Sequence, residues 1–164
     1  MITQLRGRMV EKSPTELVID CNGVGYLVNI SLNTFSKLSD SENVTLFTHL
    51  QVKEDSHTLF GFFEKTERDL FRQLISVSGI GASTARTMLS SLSPNEIQSA
   101  IISGNVSTIQ SVKGIGLKTA QRVIIDLKDK VSLISENDQF IGNINNTNQD
   151  EALSALEVLG YSRK

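Results

Sequence analysis

Apolar and polar residues change rhythm once along this chain, near Phe63. Before that point the period is two. Val44, Leu46, Thr48, Leu50 and Val52 alternate with Thr45, Phe47, His49, Gln51 and Lys53, the pattern of a strand with one face inside. Upstream, LVIDC and YLVNI flank Asn22-Gly23-Val24-Gly25. Asn-Gly tolerates positive φ, so this stretch predicts a hairpin. A further run, Thr58 to Phe62, follows the polar turn Lys53-Glu54-Asp55-Ser56, and NTFSKLS reads as a short helix between strands. Residues 1–63 therefore predict a small barrel of the OB type, although a generic small antiparallel barrel would write the same pattern.

After Phe63 the period is helical. Leu70, Phe71, Leu74, Ile75 and Val77 mark one face of a helix ending near Gly79. Ser93-Pro94-Asn95-Glu96 is a capping box with proline at the first helical position, and Gly104 suits the C-terminal cap. Asn105 caps a short helix holding Val106, Ile109 and Val112. A last helix is expected from Leu117 to Val131, with Ala120, Val123, Ile124 and Leu127 inward. Residues 132–148, rich in Asn and Ser, read as a flexible linker. Beyond them DEALSALEVLGY, within 149–164, reads as one amphipathic helix that cannot bury its own apolar face. The fold class is α+β.

Composition narrows the chemistry. Aromatics are 5% with no Trp, which argues against a broad base-stacking platform for single strands. One cysteine, Cys21, and two histidines cannot furnish a standard zinc site. No apolar run approaches the ~18 residues of a membrane span, and the opening MITQLRGRMV has no secretory apolar block, so a cytoplasmic setting is expected. The net charge of −2 hides a gradient: residues 1–63 carry five Lys/Arg against seven Asp/Glu, 64–131 nine against six, and 132–164 two against five. Only the middle third is basic.

That third also carries an internal repeat. SGIGASTARTML aligns with KGIGLKTAQRVI, placing Gly79 on Gly114, Gly81 on Gly116 and Ala85 on Ala120. Helix, Gly-apolar-Gly, helix is the helix-hairpin-helix arrangement. The glycines allow a tight turn and close backbone approach, while Ile80 and Ile115 are expected to be buried and to pin each turn. The following helix starts with unsatisfied N–H groups that suit a phosphate. Such contacts read the DNA backbone and not the bases. Lys118 and Arg122 add charge in the second copy, beside Thr119. The first copy offers the hydroxyls of Ser83 and Thr84, with Arg86 as its nearby cation. GIGLKT is not a nucleotide loop, because a P-loop requires Gly-Lys-Ser/Thr and no Gly-Lys occurs. No cofactor is expected.

Two other readings compete. A hairpin-containing glycosylase would need a catalytic Asp beyond its hairpin; Asp126 is near, but Ile124, Ile125 and Leu127 make it an ordinary solvated position on a helix. A nuclease would need clustered acidic residues, and none stands out. A single-strand-binding barrel is disfavoured by the scarce aromatics.

The whole chain resembles the RuvA family. The resemblance runs through MITQLRGRMVEK, NGVGYLV, FTHLQVKEDSHTLFGF, both GIG hairpins and EALSALEVLGY. It implies an OB-fold domain for tetramerisation (1–63), a tandem helix-hairpin-helix DNA-binding domain (64–131), and a partial UBA-like, motor-binding helical domain (149–164). The family normally has a three-helix bundle there, whereas this sequence stops at Lys164 after one helix. It also implies a non-catalytic subunit that holds a four-way (Holliday) DNA junction open, as a homotetramer or a pair of tetramers. Its partners would be the RuvB ATPase motor and the RuvC resolvase, and its processes branch migration, recombination and repair. Glu54 and Asp55 match the family's acidic pin at the junction centre. Where the family commonly has Lys, this chain has Ser83 and Leu117, so the resemblance puts the phosphate contacts mainly on backbone N–H groups, Lys118 and Arg122.

Overall fold

Alternation and turns in the first third close a barrel of five strands: β1 (Gln4–Lys12), β2 (Glu16–Cys21), β3 (Val24–Ile30), β4 (Asn43–Val52) and β5 (His57–Phe62). The order around the barrel is β1-β2-β3-β5-β4, with β1 pairing antiparallel to β4 and β3 running parallel to β5. A short helix, α1 (Leu32–Lys37), links β3 to β4. This is the OB-type arrangement. The computed structural model describes residues 1–39 and 42–140, with backbone only from 132 onward.

The predicted hairpin forms at Asn22 (φ 55°) and Gly23 (φ 89°), both in the left-handed region a two-residue turn demands. Inside the barrel, Leu5, Leu17, Ile19, Val28, Ile30, Val44, Leu46 and Leu59 form the core. Strand β1 pairs with both β2 and β4, yet it was absent from the strands read in the sequence. Its inward face offers little apolar signal: Leu5 is buried, but Gly7 stands where a Cβ would meet the Asp20 carbonyl oxygen at 2.2 Å, and the register slips between Met9 and Glu11. The alternation in β4 also ends earlier than expected. Val44, Leu46 and Thr48 are buried, but Val52 is 61% exposed, because β4 and β5 run past the core toward their turn.

The helices follow as α2 (Lys65–Ile75), α3 (Ala82–Ser91), α4 (Pro94–Ser103), α5 (Val106–Gln110) and α6 (Leu117–Phe140). The Ser93/Glu96 capping box forms in full, Gly104 ends α4 at φ 71°, and Asn105 accepts from Thr108 N. Leu70, Phe71, Leu74, Met88, Leu89, Ile97, Ile101 and Ile109 are buried. Phe71 ties these helices to the barrel, its ring centroid 4.9 Å from that of Phe62 and 5.1 Å from that of Phe60. Met1–Asp129 accordingly form one compact unit, and a second begins at Lys130.

Helix α6 runs nine residues beyond the expected stop at Val131, into the stretch read as linker. SLISENDQF contains neither Gly nor Pro, and nothing local halts propagation before Gly142. The remainder of that linker, 141–148, and the C-terminal helix at 149–164 lie outside the described residues. Among the described residues, no helix is long and apolar enough to cross a membrane.

Candidate nucleic-acid interface

The two Gly-Ile-Gly bends share the same backbone hydrogen bonds and the same glycine conformation. Ser76 and Ser111 end the preceding helices in right-handed conformations. Gly79 and Gly114 then take φ of 95° and 91°, values an L-residue rarely adopts. Ile80 N donates to Val77 O at 3.0 Å, and Ile115 N to Val112 O at 3.1 Å. Both isoleucines are buried, at 5% and 6% exposure, so each fastens its bend from beneath rather than meeting a ligand. Gly81 and Gly116 follow, each accepting from the alanine four residues on at 2.9 Å.

Each bend thus delivers a helix start outward. A Cβ built at Gly81 or Gly116 would find nothing within 4 Å, so the approach to the first N–H groups of α3 and α6 is open. The unpaired amides and the positive end of the helix favour an anion there. The two bends also adjoin. Thr119 side-chain atoms lie 3.9–4.0 Å from the Cβ position of Gly79, and Arg122 Nη1 donates to Ser78 O at 3.2 Å. One guanidinium therefore ties the second copy to the first while leaving donors over for solvent.

The charge around the bends is unequal. In the second copy Lys118 and Arg122 are exposed, and so is Lys113 just before Gly114. Lys113 escaped the sequence reading, although it aligns with Ser78 and marks the same asymmetry. In the first copy Ser83 is exposed and Thr84 half-buried. Arg86 is not with them: its guanidinium is engaged on the barrel, donating to Asn29 Oδ1 at 2.7 Å and to Thr15 O at 3.3 Å. Its Nη1 is thus committed to the barrel.

Glu54 and Asp55 sit at the tip of the β4–β5 hairpin, in a run of exposed residues from Val52 to His57. Lys53 N donates to Ser56 O at 2.8 Å, and Ser56 Oγ to Asp55 Oδ1 at 3.2 Å, which shapes the tip. Asp126, the candidate of the glycosylase reading, is exposed next to Ile125, itself 76% exposed. No group of three His, Cys, Asp or Glu side chains among the described residues could hold a metal ion.

Charged residues with no periodic signal of burial join barrel to helices. Glu67 on α2 is fully buried and accepts from Ser31 Oγ and, at 2.8 Å, from Thr34 Oγ1; Ser31 in turn caps α1. Burial pushes the Glu67 carboxyl above the usual range, while the two hydroxyls and Lys37 pull it back in part. Arg68 donates to Thr3 O at 3.2 Å. His49 is pushed down by burial and by the charges of Arg72 and Arg68.

The comparisons with known proteins agree with this architecture. The family described as RuvA N terminal domain matches residues 1–61, and the SAM-like helix-hairpin-helix tandem matches residues 71–129. A protein of Christiangramia forsetii named Holliday junction branch migration complex subunit RuvA is 64% identical over 164 residues, covering 100% of this chain and 85% of its own. The like-named protein of Flavobacterium psychrophilum is also 64% identical, with the same coverage. That of Bacteroides fragilis is 46% identical over 170 residues, covering 99% of this chain and 85% of its own. With its two matched domains in sequence and relatives of this identity along its length, the chain belongs to the RuvA family.

Proposed function

We propose that this chain binds four-way DNA junctions by their shape, holds them open and flat, and does so without catalysing any reaction itself. The observation that carries the reading is the pair of adjacent, matched bends, each presenting helix-start amides beside a glycine whose Cβ position has nothing within 4 Å. Such donors suit phosphate oxygens and carry no base information, so binding is independent of sequence. Lys113, Lys118 and Arg122 add the salt-dependent part.

The acidic turn gives the reading its specificity for branched DNA. Carboxylates on a DNA-binding surface are counterproductive unless strands must be kept apart. A carboxylate and a phosphate ~6 Å apart at an effective dielectric of ~20 repel by roughly 3 kcal/mol before screening. A base-pair step holds by about 1.4 kcal/mol of stacking. A ring of such turns, contributed by a homotetramer alone or by a pair of tetramers, therefore keeps separated strands on their way at the crossover. A fixed repulsion does no net work over a cycle, so strand exchange needs an outside motor. In this reading the RuvB ATPase hydrolyses ATP and drives branch migration, RuvC resolves the product, and the setting is cytoplasmic recombination and repair.

The test is a comparison of equilibrium binding to a four-way junction, a linear duplex and a single strand. Much tighter binding to the junction, with no cleavage when magnesium is present, is the expected result. Equal affinity for the three, or cleavage, overturns it.

A further inference from the structure

The first copy carries one cation of its own, and the structure commits it to the barrel; the guanidinium that reaches the first bend is Arg122 of the second copy, through Ser78 O. Arg86 lies three residues after Ser83 on α3, about 60° around the helix from it. There its guanidinium reaches β3 through Asn29 Oδ1 at 2.7 Å and the loop before β2 through Thr15 O at 3.3 Å. One turn later on the same helix, Ser90 Oγ accepts from Leu32 N at 3.1 Å, at the start of α1, while donating to Arg86 O at 2.8 Å. Helix α3 is therefore attached to the barrel at two successive turns. The aligned position in the second copy is Gln121, exposed and uncharged. The duplicated motif has divided its labour: the second copy keeps its cations exposed beside the bends, and the first copy uses its cation as a strut to the barrel.

We infer that Arg86 is a positioning residue that sets the separation between the phosphate-gripping bends and the acidic turn at Glu54–Asp55. This rests on the junction reading above. A branched DNA must meet the bends and the turn together, whereas a straight duplex needs only the bends. Holding the two elements at a fixed spacing makes the second contact effectively intramolecular for the junction and changes nothing for the duplex. Arg86 thus contributes to discrimination between DNA shapes without touching DNA.

Affinities of the full chain for a four-way junction and for a linear duplex of the same arm sequence, each over a range of salt, test the assignment. Arg86→Ala is expected to weaken junction binding about ten-fold, or ~1.4 kcal/mol, and to leave duplex affinity and its salt slope unchanged. Asn29→Ala removes the same bond from the barrel side, with no change of charge and no change to α3. It leaves Arg86 its Thr15 O partner and loses the Asn29 Nδ2 contact to Leu59 O; it is expected to lower the junction preference in the same direction. The double variant is expected to be no worse than either single one. Asn29→Asp, which keeps the acceptor, is expected to retain the preference. If Arg86→Ala instead weakens junction and duplex together and lowers the salt slope by about one, Arg86 is a phosphate ligand and the inference is overturned. It is overturned equally if both alanine variants keep the full preference. A chain without substitutions that showed no preference would defeat the junction reading itself, a result separable from the variants' behaviour.

Discussion

Gly79 and Gly114 differ by only a few degrees in φ, yet the side chains around them have diverged. Lys118 opens α6 where Ser83 opens α3, so one helix start has a cation and its counterpart a hydroxyl. A lysine that neutralises a phosphate releases counterions, which makes its contribution visible in the salt dependence of binding. Lys118→Ala is expected to weaken duplex and junction binding alike and to flatten the slope of log affinity against log salt by about 0.9. Ser83→Lys is expected to strengthen both and steepen the slope. Fluorescence anisotropy of labelled duplex across salt concentrations checks the pair, and an unchanged slope in both variants would remove the helix starts from the interface. Ile80 and Ile115, expected from the sequence as buried pins in the middle of the motif, are both buried.

At the level of elements, the coupling of α1 to α2 runs through a buried carboxylate. Glu67 is held above the ordinary glutamate range by burial, against the pull of Ser31, Thr34 and Lys37. A carboxyl with a raised folded value binds its proton more tightly in the native state. Its stabilising contribution is therefore present at low pH and is lost as pH rises through that folded value. Glu67→Gln removes the titration. The melting temperature of the natural chain relative to this variant is expected to be highest at acidic pH and to fall as pH rises toward neutrality; a difference independent of pH would contradict it. Such a group was invisible in the sequence, where KTERDLFRQL shows an apolar face at Leu70, Phe71 and Leu74 and charges elsewhere. Periodicity finds what the core attracts, but a charge buried by a partner on another element leaves no periodic trace. The bends, the capping box and the Asn22-Gly23 turn were legible because local backbone geometry dictates their residues. Strand β1 was not, since its register slip and Gly7 dilute the alternation. Arg86 was legible as a cation but not as a strut, because Asn29 lies far off in the chain.

At the scale of the molecule, two exposed features of opposite sign stand out among the described residues: Lys113, Lys118 and Arg122 around the second bend, and Glu54 and Asp55 at the β4–β5 turn. Glu54→Asn with Asp55→Asn is expected to leave junction binding intact or to strengthen it, since repulsion is removed, and to impair strand separation when RuvB and ATP are supplied. Gel-shift and branch-migration assays on the same preparation check this, and loss of binding would contradict a repulsive role for the turn. The barrel has a further bearing on assembly. Because β1 closes against β4 and β3 against β5, every barrel strand has a neighbour on both sides, although β3 meets β5 only over Val28–Ile30 and β4 meets β1 only over Asn43–Phe47. In the proposed ring, closure of each barrel leaves copies only short stretches of strand on which to extend one another's sheets, so contact through side chains and loops is favoured. High local protein concentration on DNA then offers little edge from which open-ended fibres could grow.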